Sequence, residues 1–392
     1  MSNFWRELIK LNPEQEVWWD SSTLLWPNFK NDFLKEVPEK DRSWFKTEIE
    51  SMMYDAPVDQ WLFSGCTTNP PLSWAVIKTY KAECIEITRD KARSYKGKSK
   101  YGLFLEVYYE VVRRTAEKLM PLFEASDGKI GHISAQVDMH YMRNESVMQE
   151  MAETLADISP NVMIKVPGST EGIEVFKHLA SKGIATNATC VFTVAQILAV
   201  AKAITEGREL HLRDSITPRL GWRAVCTHMA GRLEDSKAFR GLIDKDNLDI
   251  SALELRMASE AVVKKCAAII KERAYPIKML VCSARLHRGI NGSWSYPHIE
   301  MFAGGDMIYT VPPQVFGQCM LFYKDQEVLP RWNNAVSEEI LEKLLSVSYF
   351  KKSYQNDGLT IEEFNEIPSL LENEAEFVRA TREMIEFVGS FI

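Results

Sequence analysis

One lysine stands alone among apolar residues in the run Asn161-Val-Met-Ile-Lys-Val-Pro167. An amine desolvated by such neighbours is pushed toward its neutral, nucleophilic form, and a neutral lysine attacks a ketone to form a Schiff base. The iminium nitrogen can then accept the electron pair released when an adjacent carbon–carbon bond breaks. Taken by itself, Lys165 also fits a snorkelling or ion-paired side chain, so its neighbours decide. Residues two apart on a strand share a face, and polar pairs with that spacing recur as Asn187 with Thr189 and Ser283 with Arg285. Arg285 offers a rigid donor fork suited to a phosphate or carboxylate. Asp20 closes the run Val-Trp-Trp-Asp, where an acid in a partly apolar mouth suits general acid–base work; a helix N-cap is its structural alternative. Thr67-Thr-Asn69-Pro-Pro sets hydrogen-bonding side chains ahead of a stiff proline pair, an arrangement that simple turn chemistry would also use.

All of these residues sit at the ends of short apolar segments, each followed by a turn and an amphipathic stretch. There are eight: Val17 to Asp20, Trp61 to Cys66, Ile130 to Val137, Val162 to Val166, Ala185 to Val191, Trp222 to Met229, Ile277 to Ser283, and Met307 to Val311. Apolar, β-branched runs of this length are what doubly covered parallel strands look like. Eight of them predict a closed (β/α)8 barrel, in which reactive residues gather at the C-terminal strand ends. One connecting helix is legible in detail, with Ser169 as N-cap, Ile173, Phe176 and Ala180 on one face, and Gly183 just past the end. Near the C-terminus, Leu371, Ala375, Val378, Met384 and Val388 form an apolar stripe. It predicts a helix packed on the barrel wall, with a lid near the site as the other option.

The 392 residues, 46% of them apolar, exceed the roughly 250 of a typical barrel, yet no linker marks a domain boundary. The expectation is a single barrel over 1–392, with insertions at 21–60, 73–129 and 286–305 and a C-terminal helical extension from about 313. Trp294 and Tyr296 in the third insertion could line a pocket or pack the loop. A net charge of −7 argues against a polyanion, so no nucleic acid is expected as a partner. Seven cysteines without a CxxC pair fit reduced thiols in a cytoplasmic protein and give no metal-site spacing. The start lacks an apolar signal core, and the apolar stretch 188–204 is interrupted by Gln196 and Lys202, so no membrane association is expected.

Gly65-Cys-Thr-Thr-Asn-Pro-Pro-Leu72 is similar to the TTNP signature of the transaldolase family, and Val162-Met-Ile-Lys-Val-Pro-Gly-Ser-Thr-Glu-Gly-Ile173 resembles the segment carrying that family's Schiff-base lysine. Gly183 to Thr189, Thr227-His-Met-Ala-Gly-Arg232 and Cys282-Ser-Ala-Arg285 resemble its next strand, its glycine–arginine turn and its phosphate-binding serine and arginine, in the family's order. The resemblance implies a class I, Schiff-base transferase on a single TIM barrel, a cytoplasmic monomer or homodimer acting in the pentose phosphate pathway without metal or cofactor. It would move a dihydroxyacetone unit from a phosphorylated sugar, a ketose phosphate, to an aldehyde acceptor. By position, Lys165 would form the Schiff base, Asp20 would take the hydroxyl proton during cleavage, and Thr189 would help place the catalytic water. Asn69 and Asn187 would hold the dihydroxyacetone hydroxyls with Thr227 close by, and Arg232, Ser283 and Arg285 would bind the phosphate.

The sequence departs from the pattern at Gln136. Typical transaldolases carry a glutamate there, and an amide cannot carry a proton in that role. The related fructose 6-phosphate aldolase subgroup also has glutamine, but adds a tyrosine where Met229 stands. His228, in place of the usual proline, is a candidate replacement acid or base; a satisfied core histidine is its structural alternative. The departure leaves two other readings open, a specialised Schiff-base aldolase of secondary metabolism and a catalytically impaired sugar-phosphate-binding barrel.

Overall fold

The computed structural model describes residues 1–79, 81–95, 97, 99–214, 220–289 and 291–392. Eight parallel strands close a barrel: β1 (Glu16–Trp19), β2 (Phe63–Thr67), β3 (His132–Gln136), β4 (Val162–Pro167), β5 (Thr186–Val191), β6 (Ala224–Met229), β7 (Lys278–Cys282) and β8 (Ile308–Val311). They pair in sequence order, and β8 returns to β1. Every segment expected to be a strand contains one. Outward residues such as Ile133, Ala135, Ile164, Val166 and Ala188 enter the large core shared with the surrounding helices. Both faces of these strands are therefore covered, which is why they read as apolar runs.

The interior is layered. Trp18, Met163, Ala185, Val225, Leu280 and Ile308 form a separate apolar cluster that fills the barrel below its mouth. Gly65 makes room for it, since a Cβ there would come within 2.7 Å of the Trp18 indole. Period-2 alternation then fixes what lies above. Two residues beyond each of these positions come Asp20, Lys165, Asn187, Thr227, Cys282 and Thr310, and Thr67 follows Gly65. A floor of hydrocarbon thus carries a ring of polar side chains.

Below the floor, Glu16 is locked in place. Its Oε2 accepts from Trp18 Nε1 at 3.0 Å, Ser64 Oγ at 3.0 Å and Arg223 Nη1 at 2.9 Å, and Lys278 Nζ lies 3.1 Å from Oε1. Burial opposes the charge, but Arg223 and Lys278 outweigh it and hold the carboxyl at about 2 against an ordinary 4.5. A depressed carboxyl pKa contributes stability above pH 4.5 that is lost as pH falls toward 2, about 3 kcal/mol for this shift. Glu16→Gln is expected to lower unfolding free energy by a similar amount at pH 7 and to flatten its fall between pH 4.5 and 2, as read by urea unfolding. An undiminished acid slope would remove Glu16 from that role.

The first two insertions are mainly helical among the described residues. Residues 73–129 include α1 (Lys100–Ala125), and the helix read closely from the sequence is α2 (Thr170–Ser181), with Ser169 accepting from Gly172 N and Gly183 at φ +68°. Residues 286–305 hold a two-stranded ribbon, His287–Arg288 with Trp294–Ser295. Trp294 is exposed and stacks under Arg288, while Tyr296 is buried against Tyr323 and Gln318. After β8, Pro313–Phe322 is the barrel's own eighth helix, so the extension proper begins later. It includes α3 (Pro368–Gly389).

This last helix meets the expectation of a wall-packed stripe in part: Met384 and Val388 are buried against neighbouring helices, while Ala375 is exposed. Leu371 is 38% exposed, and the buried face runs through Leu370, Asn373, Phe377, Thr381, Met384 and Val388. That face is mixed: Leu370 and Phe377 join the main core, Met384 and Val388 pack with Ile77, Leu103, Phe104 and Val107, and Asn373 and Thr381 are buried beside them. Side chains of α3 hold the segments that follow the strands: Glu374 pairs Arg143, Glu376 pairs Arg232, Glu372 accepts from Lys237 N, and Arg382 reaches His140. The helix is a roof over the barrel mouth.

Candidate active site

Lys165 is 4% exposed and donates to the Thr68 carbonyl at 3.2 Å. In the ladder it stands between Gln136 on β3 and Asn187 on β5, register partners on either side. Adjacent strands are about 4.8 Å apart, so the three inward side chains crowd one point. Asn187 is fixed from two directions, donating to Ser134 Oγ at 2.9 Å and accepting from Thr227 Oγ1 at 2.7 Å. Thr189 lies one step higher on the same face, buried, its hydroxyl without a hydrogen-bond partner among the described residues.

Asp20 enters from β1. Thr67 Oγ1 donates to its Oδ1 at 2.6 Å and is itself bonded to Thr310 Oγ1. Burial raises the Asp20 pKa above the ordinary 3.8, against the opposing pull of Lys165 and Thr67. Desolvation makes this carboxylate a readier proton acceptor, and Lys165 keeps part of its charge in place. Cys282 completes the ring. Burial and the Asp20 charge push its thiol up to about 11, so it is a neutral wall at physiological pH.

The arginines meet at the rim. Ser283 adopts φ +62° and turns its carbonyl toward Arg285 Nη1 at 2.9 Å. A Cβ at Gly231 would lie 2.0 Å from that carbonyl, which is why the Gly231-Arg232 turn carries glycine. Arg285 Nε also holds Asp235 Oδ2 at 2.7 Å. Arg232 holds both carboxylate oxygens of Glu376, one at 2.9 Å. Hydrogen bonding to Arg232 leads the effects that depress the Glu376 pKa, opposed by burial and helped by the charges of Arg232, Arg379 and Arg285. The cluster already grips an anion, one supplied by the roof.

Two residues fall outside this arrangement. Asn69 Oδ1 accepts from Leu72 N at 2.9 Å, as a cap on the helix Pro70–Thr79. His228 is corrected outright: Val225, Thr227 and Met229 face inward, so His228 faces out and bonds Ser259 Oγ at 3.1 Å. Burial, aided by His298, drives its pKa down to about 3. It is a core histidine, not the replacement acid or base.

Sequence reasoning missed Tyr108 on α1. Its hydroxyl accepts from Gln136 N and donates to Gln136 O, both at 2.9 Å. Surrounded in sequence by Leu105, Val107 and Val112, it reads as one more core aromatic. Only a polar tip on a buried helix face could have flagged it. Among the described residues, no group of three or more His, Cys, Asp or Glu could hold a metal ion, and no helix is long and apolar enough to cross a membrane.

A family model described as Transaldolase/Fructose-6-phosphate aldolase matches residues 47–367. The chain belongs to this family. Among its transaldolase relatives, the protein of Thiobacillus denitrificans is 30% identical over 154 residues, 37% of this chain and 40% of that one. The transaldolase of Trichodesmium erythraeum is 23% identical over 306 residues, covering 71% and 77% respectively. That of Thermobifida fusca is 33% identical over 100 residues, 25% of this chain and 27% of that one. The match to the first and third of these transaldolases thus spans well under half of their own length.

Proposed function

We propose that this chain is a transaldolase-type transferase that carries a three-carbon ketone unit on Lys165. What supports the reading most is the placement of one buried amine between Gln136 and Asn187 in the ladder, with a desolvated Asp20 across the same ring. Lys165 adds to the carbonyl of a ketose phosphate, and the carbinolamine loses water to give the iminium. Asp20 takes the proton of the hydroxyl on the carbon beyond the scissile bond. That C–O bond becomes a carbonyl, the C–C pair moves to the iminium, and an aldehyde phosphate leaves an enamine on Lys165. Attack of the enamine on an acceptor aldehyde and hydrolysis regenerate the amine. Asn187, Thr227 and Asn69 are assigned to the hydroxyls of the C3 unit, Thr189 to the hydrolytic water, and Ser283, Arg232 and Arg285 to the phosphate. Phosphate binding in this scheme requires Arg232 to exchange the Glu376 carboxylate for the substrate.

Gln136 favours a second reading, an aldolase that releases the C3 ketone free, because the aldolase subgroup shares this glutamine. Both readings pass through the same intermediate. Incubation with fructose 6-phosphate and borohydride is expected to leave a reduced three-carbon adduct on Lys165, located by mass mapping. An unmodified lysine across a panel of ketose phosphates would overturn both; free dihydroxyacetone without transfer to added aldehydes would select the second.

A further inference from the structure

Arg232 and Arg285 reach the rim from different strands, and two guanidinium forks grip one phosphate only at a suitable separation. Arg232 stands on the short helix Ala230–Glu234 after β6, and Arg285 lies past the end of β7. The chain from Ser283 to Leu286 has left the ladder, with Ser283 at φ +62°, so its backbone groups need partners from elsewhere. Those partners belong to a buried cluster that the reaction scheme does not use: Glu234, 3% exposed, Arg256, 9%, and His298, 1%. Two residues on a helix are turned roughly 200° apart, so Glu234 points into the protein where Arg232 points to the rim.

His298 Nδ1 accepts from Arg285 N at 3.2 Å. An acceptor nitrogen carries a lone pair, so the ring's proton sits on Nε2, which lies 3.4 Å from Glu234 Oε2. Arg256, on the helix Ala252–Glu272, brings Nε within 3.3 Å of the same oxygen and donates from Nη2 to Leu286 O at 3.1 Å. The backbone of Arg285 and Leu286 is thus held at two consecutive points, and both holders meet at one carboxylate. Glu234 Oε2, Arg256 Nε and His298 Nε2 have no hydrogen bond among the described residues, which leaves the ion pair and the imidazole contact as their compensation for burial. The nearby acid Glu260 is taken by Lys264 at 2.6 Å. A buried ion pair adds little net stability over apolar side chains of the same volume, so the cluster is better accounted for by what it fixes.

We propose that Glu234 is a positioning residue for phosphate binding. It ties the turn that carries Arg232 to the loop that carries Arg285, through His298 and Arg256, and so sets the separation of the two guanidinium groups. The proposal rests on the assignment of those arginines to the substrate phosphate. Being buried, neither Glu234 nor His298 meets the sugar; each acts through the arginines. The third insertion thereby gains a task. His298 lies in the segment 286–305, and the short helix Pro297–Glu300 carries its imidazole back to the strand end from which the insertion departs.

The experiment is calorimetric titration of the full chain with a hexitol 6-phosphate, which lacks a carbonyl and so binds without reaction at Lys165. Arg285→Ala sets the scale, with a Kd raised roughly tenfold or more. Glu234→Gln keeps the shape but loses the charge that draws Arg256, and is expected to raise the Kd roughly tenfold. His298→Leu leaves the Glu234–Arg256 pair intact and removes the acceptor for Arg285 N, so it carries the test if the first variant does not fold; a similar rise is expected. With one fork gone there is no separation to set, so in the Arg285→Ala background either change should cost less than about twofold. Equal losses in both backgrounds would mark a general disturbance of the fold and overturn the proposal, as would native affinity in the single variants. Native affinity in Arg285→Ala, or no binding to the native chain, would overturn the proposal and the phosphate assignment together, leaving Lys165 to be judged by its own adduct.

Discussion

Replacing Lys165 by methionine is expected to abolish the borohydride adduct and reduce carbon–carbon transfer by roughly 10⁴-fold or more, the scale on which loss of a covalent nucleophile is felt. Methionine matches the length and adapts to an apolar surround, so the barrel should survive. The Thr68 carbonyl loses its hydrogen bond from Nζ, a cost of about 1 kcal/mol. A second effect follows from the site's electrostatics. Burial raises the Asp20 pKa and the charge of Lys165 restrains that rise, so the variant's Asp20 should be protonated at a higher pH than in the native chain. Carbon-detected NMR of the Asp20 carboxyl would show it. Substantial transfer by the methionine variant would remove Lys165 from the chemistry, and an unmoved Asp20 titration would separate the two groups.

Asp20→Asn should give the sharper diagnosis. Asparagine preserves the acceptor that Thr67 uses but cannot take a proton, so C–C cleavage should fall about 10²- to 10⁴-fold. Addition of Lys165 to the ketone does not require Asp20. Borohydride should therefore trap the uncleaved six-carbon phosphate on Lys165 in the variant, where the native chain yields the three-carbon unit. Mass mapping of one peptide distinguishes the two. A three-carbon adduct formed at the native rate would assign the base elsewhere.

The barrel was legible because its strands are covered on both faces and so keep their apolar character along their whole length, as in Val162–Pro167 and Ala224–Met229. The positions of Lys165 and Asn187 follow from strand ends and parity, whereas Thr227 is given by the family resemblance and Arg285 lies past the end of β7, where Ser283 at φ +62° breaks the alternation. Parity also excludes His228: once Thr227 faces inward, its neighbour cannot. Other features were not in any local pattern. The burial of α3 includes Asn373 and Thr381, which no apolar stripe reveals, because the surface it covers is assembled from distant segments. Glu376 could not be found from its own surroundings, since its partner Arg232 lies 144 positions away.

Gly65 and Trp18 divide the site's evolvability. The indole occupies the space any side chain at 65 would need, and five other buried residues close around it. A deeper pocket therefore demands several simultaneous substitutions inside the barrel, each of which leaves a void or a clash while the others are pending. On the roof, the pairs that join it to the mouth, Glu374 with Arg143 and Glu376 with Arg232, can be exchanged one at a time without disturbing its packed face. Drift in substrate preference among descendants of this chain should accumulate in α3 and the insertions, while the depth at which a carbonyl meets Lys165 stays constant.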